Sequence, residues 1–191
     1  MKRFRPKFHQ FRTDTHYNRY PEIFLATKKY FDSQIISKQL SILSYGCSTG
    51  EECISLKKYF PNSKIVGVDV NKKVLKQAII HHGDRGINFC SDDHSVIDRG
   101  PYDIIYCMSV LCKNPDSSGL KDISRLYRFE KFEKALLFLD RILFVNGLLV
   151  IYNSNFLFKD SRLYKKYTVL RGPLIRESGY VHKFSRDHKR I

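Results

Sequence analysis

The chain has 191 residues, of which 42% are hydrophobic and 14% aromatic, and a formal net charge of +15. That length fits one domain and that composition supplies a packed core, which excludes a disordered chain. No repeat or low-complexity tract points to a solenoid.

The longest apolar stretch, residues 135–144, contains Asp140 and Arg141 and is too short to span a bilayer. The start, Met1-Lys2-Arg3-Phe4-Arg5-Pro6-Lys7, is basic but leads into no apolar signal region. A cytoplasmic protein without a membrane span is therefore expected. Five cysteines (Cys47, Cys53, Cys90, Cys107, Cys112) agree with that compartment. Their number is odd and no CxxC pair occurs, so buried thiols are expected and no metal.

The first forty residues lack a strand signal, and Pro21 to Phe31 reads as a helix with proline in its first turn. From residue 41 onward short apolar runs alternate with amphipathic stretches. Ser41–Tyr45 is a predicted strand closed by Gly46, and Glu51–Phe60 a helix stopped by Pro61-Asn62. Lys64–Val70 is a second strand, rich in β-branched residues. Lys72–His81 has helical spacing at Val74, Leu75, Ala78 and Ile79. Ile87–Cys90 is a short strand, Tyr102–Met108 a buried strand, Phe129–Leu143 a long amphipathic helix and Leu148–Asn153 another buried strand. Tyr167–Leu170 and Tyr180–Phe184 are further strand candidates.

Strands alternating with helices predict parallel βαβ units, and continuously apolar strands predict a sheet covered on both faces. The expected fold is α/β and Rossmann-like. A single domain is read as a basic N-terminal cap (1–40), a core (41–155) and basic C-terminal strands (156–191). Ligands of such sheets bind at the carboxyl ends of the strands, where strand order reverses.

The clearest candidate site begins at Gly46-Cys47-Ser48-Thr49-Gly50-Glu51-Glu52. A buried strand ends in two glycines four apart, and a helix follows. Glycine admits positive φ and close approach of a ligand, and a helix start offers free N–H groups. A dinucleotide loop would read GxGxxG with no acid facing the pyrophosphate. Two carboxylates repel phosphate but suit a cation such as S-adenosylmethionine, with its ammonium and sulfonium. Asp69, 19 residues after Gly50, suits ribose hydroxyls, or else caps a helix. Val70 follows it. Asp92 and Asp93 suit an adenine amino group, or else a solvated loop. Cys107, Met108 and Ser109, at the end of the fourth strand, would lie beside the methionine part of the cofactor.

Over about residues 40–155 the chain resembles class I S-adenosylmethionine-dependent methyltransferases. Its glycine loop is particularly similar to that of the chemotaxis-receptor glutamate methyltransferases, the CheR type. That family places an Asn-x-Thr-x-aromatic-aromatic-Arg segment before the first strand, and here Thr13-Asp14-Thr15-His16-Tyr17-Asn18-Arg19 keeps the Thr-to-Arg spacing. The resemblance implies that Thr15 and Arg19 line the cofactor and active site. Tyr17 and His16 are the further catalytic candidates, with Asp14 an alternative base. The family's Cys-Arg-Asn-Val is Cys107-Met108-Ser109-Val110 here, and its Pro-Gly-Gly is Val145-Asn146-Gly147. Its N-terminal helical domain does not fit within 40 residues. The cofactor site carries over, then, and the receptor substrate does not.

Most of the positive charge lies in residues 1–40 and 159–191. If both ends flank the cleft, they favour an acidic acceptor: a small molecule, a protein carboxylate or RNA. The oligomeric state stays open. There is no Asn-Pro-Pro-Tyr after the fourth strand, which lowers the case for methylating nucleic-acid amines. The rival readings are a non-catalytic basic nucleic-acid-binding module and an NAD or nucleotide-sugar enzyme on the same fold; Glu51 and Glu52 speak against the last.

Overall fold

The computed structural model describes residues 9–10, 12–34, 38–91, 93–173, 175 and 181–191. Helix α1 (Pro21–Asp32) precedes a regular alternation: β1 (Ser41–Tyr45), α2 (Glu51–Tyr59), β2 (Lys64–Val68), α3 (Lys72–His82), β3 (Ile87–Cys90), α4 (Asp93–Arg99), β4 (Tyr102–Met108), α5 (Phe129–Arg141) and β5 (Leu143–Tyr152). The five strands pair in parallel in the order β3-β2-β1-β4-β5. This is the expected Rossmann-like class I methyltransferase architecture. Strand order reverses between β1 and β4, which opens a crevice at their carboxyl ends.

Alternation along each strand builds two cores. Ile42, Ile65, Ile104 and Tyr106 turn to the face covered by α1, α2 and α3, where they meet Tyr20, Phe24, Leu56 and Leu75. Their neighbours Leu43, Val66, Ile105 and Cys107 turn to the other face and meet Val96, Phe132 and Leu136. All seven residues of β4 are buried, as a central parallel strand requires. The five cysteines are free and buried. No helix among the described residues is long and apolar enough to cross a membrane.

Three expectations change. Helix α4 has no counterpart in the sequence reading, because seven residues are too few to establish a helical period. Strand β5 starts at Leu143, directly after α5, rather than at Leu148. Leu143 pairs with Tyr102 and Leu148 with Ile104, so residues 144–147 loop out of register, with Asn146 at φ +64°. The C-terminal strand Tyr167–Leu170 does not form. Tyr167 sets its ring edge-on to Phe158 and donates its hydroxyl to Asp140 (2.8 Å), while Val169 and Leu170 remain exposed with no ladder. In the candidate Tyr180–Phe184, Tyr180 lies outside the described residues and Phe184 makes only single bridges, to Phe156 and Arg190.

Candidate active site

The crevice at the reversal point holds a cavity. Its floor comes from the ends of β1, β2 and β4, and its outer wall from the N-terminal segment. Gly46 leaves β1 at φ +83°, and a Cβ there would stand 2.4 Å from a Val110 methyl, so glycine suits both the turn and the close packing of Val110. The N–H groups of Gly46 and Cys47 both donate to the Val68 carbonyl (2.8 and 2.9 Å), which ties the loop to β2. Ser48 also takes a left-handed conformation, φ +50°, at a cost of about 1 kcal/mol or more.

Asp69 bridges two elements. Its carboxylate accepts from the Ser48 N–H (2.9 Å) and from the Asn71 N–H (2.8 Å). Asn71, not Asp69, caps α3, its side chain accepting from the Lys73 N–H. Burial pushes the Asp69 carboxyl up from its ordinary range, and the two N–H donors hold it partly down. The side chain lines the cavity, where its remaining lone pairs can accept.

The two loop carboxylates part company. Helical rotation of about 100° per residue sends adjacent side chains to different sides. Glu51 lies off the cavity and accepts from the Thr49 hydroxyl (2.6 Å). Glu52 turns into the cavity and accepts from the Ser44 hydroxyl (2.7 Å). Burial raises the Glu52 carboxyl to about 7, with Ser44 and Arg19 pulling the other way. A carboxyl whose charged form burial disfavours is stabilised in that form by an incoming cation.

The N-terminal segment is laced onto this floor. The Ser48 hydroxyl donates to the Thr13 carbonyl (2.8 Å), and the Asn18 N–H donates to the Ser55 hydroxyl (2.7 Å). Arg19 donates to the Asp14 carbonyl (2.5 Å) and lies over the Tyr20 ring. At the β4 end, Ser109 (φ +59°) shares a hydrogen bond with the Tyr20 hydroxyl (2.8 Å) and accepts from the Asn153 amide (3.1 Å).

Of the residues singled out in the sequence, Thr15, His16, Arg19, Gly46, Cys47, Ser48, Asp69, Val70, Met108 and Ser109 come together around the cavity. Gly50 does not line it. It starts α2 at φ +95°, packed against His82 and Phe89. Tyr17 also stays outside, exposed and edge-on to His82. Cys107 points into the core across β4 from the cavity. Asp92 lies outside the described residues, and Asp93 is the first residue of α4. Sequence reasoning did not place Glu52, Asn71, Tyr20 or the pair His9 and Gln10 at the cavity. Only Glu52 carried a signal, as the second acid of the loop.

A family model described as a methyltransferase domain matches residues 36–173. No curated protein matches the chain in sequence. Among solved structures, PKMT2 from Rickettsia typhi aligns at 20% identity and TM-score 0.45, over 58% of this chain and 20% of that one. The plantazolicin methyltransferase BpumL in complex with SAH aligns at 18% and 0.45, over 64% and 42%. A protein from Pyrococcus horikoshii OT3 aligns at 14% and 0.47, over 68% and 56%. The chain thus spans less than two thirds of each of these proteins. None of the three is described as a chemotaxis-receptor enzyme, so the likeness of the glycine loop to that type gains no support from them.

Proposed function

The chain belongs to the methyltransferase-domain family, a class of S-adenosylmethionine-dependent enzymes, and we propose that it methylates an acidic acceptor brought in along its basic N-terminal segment. The observation that carries this reading is the single cavity shared by Gly46–Ser48, Glu52, Asp69 and Arg19. The residues fit the cofactor. The loop Gly46–Ser48 brings backbone to the cavity, and the enclosed Glu52 carboxyl suits a cation. Glu52 would face the ammonium, Asp69 would accept from the ribose hydroxyls, and Val70 would lie against the nucleoside. Met108 and Ser109 would border the methionine chain. Asp92 and Asp93, next in sequence after β3, keep the proposed adenine contact.

Bound S-adenosylmethionine supplies a methyl group on a sulfonium: the acceptor's lone pair forms the new bond while the carbon–sulfur bond breaks and its electrons return to sulfur. The protein's share is alignment and charge. Thr15, His16 and Arg19 occupy the wall from which an acceptor would approach, and Tyr17 has no part in this reading because its ring packs on His82. Arg12 and Arg19 give that wall its basic character. A carboxylate or phosphate oxygen is already ionised at pH 7 and needs no general base.

The test is transfer of label from methyl-tritiated S-adenosylmethionine to carboxylate, phosphate and amine acceptors at two salt concentrations. Labelling confined to the anionic acceptors, and weaker at high salt, is the expected result. Labelling of amines alone, indifferent to salt, would refute the acidic acceptor while leaving the cofactor in place.

A further inference from the structure

His9 joins the cavity wall from the β4 side. Its neighbour Gln10 also lines the cavity, and the Gln10 amide donates to the Asn114 carbonyl (3.0 Å) and to the Cys112 sulfur (3.3 Å), in the loop after β4. The His9 ring stands edge-on to the Tyr127 ring, with centroids 5.6 Å apart and planes at 87°, and its Nδ1 lies 2.5 Å from the Tyr127 hydroxyl. Tyr127, just before α5, is buried. The carboxylates proposed for the cofactor stand elsewhere on the wall, Glu52 at the start of α2 and Asp69 just after β2.

The hydrogen bond to Tyr127 fixes the tautomer of the ring. A buried hydroxyl hydrogen without an acceptor is costly, and among the described residues His9 Nδ1 is the acceptor that Tyr127 has. Burial pushes the Tyr127 hydroxyl well above its ordinary range, so it keeps its hydrogen and donates it. His9 is held neutral, brought down to about 3 by burial and then by Lys131 and Lys113. A neutral imidazole that accepts at Nδ1 carries its hydrogen on Nε2. Nε2 projects from the ring away from Tyr127, on a side chain that lines the cavity. The cavity thus receives a fixed, uncharged N–H donor rather than a base.

We infer that the His9 Nε2–H holds the non-reacting oxygen of a carboxylate acceptor, with Tyr127 as the positioning residue that acts through it. This deepens the acidic-acceptor reading and rests on it. Methylation of a carboxylate moves no proton. One oxygen forms the bond to the methyl carbon, the carbon–sulfur bond breaks with its electrons returning to sulfur, and anion and sulfonium become a neutral ester and a thioether. Such a reaction suits a donor that keeps its hydrogen throughout, which a neutral ring with Nδ1 occupied provides. The held oxygen becomes the ester carbonyl, so a charge-assisted hydrogen bond gives way to a weaker neutral one and the product is released more readily. Because the bond is strongest to the free carboxylate, it contributes to binding and alignment of the acceptor. One uncharged donor suits a carboxylate monoanion better than a phosphate dianion, which gains most from several donors.

The experiment is NMR of the imidazole nitrogens in isotope-labelled protein at pH 7, alone and saturated with S-adenosylhomocysteine, with His9 assigned by the signal lost in His9→Gln. The expected ring is neutral and protonated at Nε2, and Tyr127→Phe should release it to a mixture of tautomers. Acetate, at constant ionic strength set by chloride, should shift the Nε2–H resonance downfield saturably, and acetamide should not. His9→Ala should weaken acetate about tenfold or more, followed at the backbone amides of the cavity wall. His9→Gln, which keeps an N–H near the Nε2 position, should recover most of that loss; circular dichroism checks the fold of each variant. A ring protonated at Nδ1 or at both nitrogens, an equal response to acetamide, or no response to acetate would overturn the contact. Acetate bound elsewhere would do so too, while the acidic acceptor stood. A response to methyl phosphate and none to acetate would overturn the choice of a carboxylate. An acetate response in a protein that ignores S-adenosylhomocysteine would keep the contact and defeat the cofactor reading instead.

Discussion

The β1–β3 half of the sheet and the β4–β5 half reach the same cavity by different construction. On the first side the wall is made from neighbours in the chain: a strand end, a glycine turn and a helix start, closed by Asp69 on Ser48 across one βαβ unit. On the second side the contacts are remote. Tyr20 meets Ser109 across 89 residues, His9 meets Tyr127 across 118, and Asn155 meets Lys113 across 42. A locally built wall can hold one fixed ligand whatever surrounds it. A wall assembled from chain ends is free to differ with the acceptor. The proposed division of labour between cofactor and acceptor would follow from how each wall is made.

The largest expected effect sharpens that contrast. Phe156 is fully buried on the second side, with ring contacts to Tyr127, Phe129, Phe132 and His188. Phe156→Ala should cost about 3–5 kcal/mol in urea unfolding, while the folded fraction keeps near-normal affinity for S-adenosylhomocysteine. A collapse of that affinity would break the contrast, since the two walls would then depend on one another.

An intermediate effect belongs to Glu52 on the first side. Its carboxyl is raised in the folded protein to about 7, so the folded state binds that proton more tightly than the unfolded chain. The resulting stability is full below the unfolded value of 4.5 and is lost as pH rises through 7. Glu52→Gln should therefore gain urea resistance relative to wild type at pH 8 and none at pH 4. The ligand's ammonium would pull the proton off, so affinity for S-adenosylhomocysteine should rise by up to about tenfold per pH unit below 7 and flatten above it. Glu52→Gln should show no such slope. A wild-type affinity independent of pH between 6 and 8 would remove Glu52 from the ligand's surroundings.

The smallest expected effect lies at the seam. Ser109→Ala removes the link between Tyr20 and Asn153, and about 1 kcal/mol of stability with it. No measurable change in a urea titration would mean that the N-terminal segment is held by its other contacts, through Ser48, Ser55 and Tyr127.

The same contrast explains what was legible in the sequence. The glycine loop and Asp69 stood out because a turn, a strand end and a helix start write their needs into adjacent residues. Between Glu51 and Glu52 the choice turned on where α2 begins, and one residue of helical rotation exchanges their sides. Strands β1 to β4 showed as apolar runs. The early start of β5 did not, because Leu143 pairs with Tyr102 through an irregularity that leaves Val145 at 92% exposure. The C-terminal candidates read as strands from their β-branched and aromatic residues, but propensity without a ladder partner does not make a strand.

The most direct test of the central claim is calorimetric titration of wild type and Asp69→Ala with S-adenosylhomocysteine, with folding of both checked by circular dichroism. The account expects saturable binding by wild type and at least about a hundredfold loss in the variant, since Asp69 both holds the loop and would accept from the ribose. A folded wild type that does not bind, or a variant that binds equally well, would contradict it.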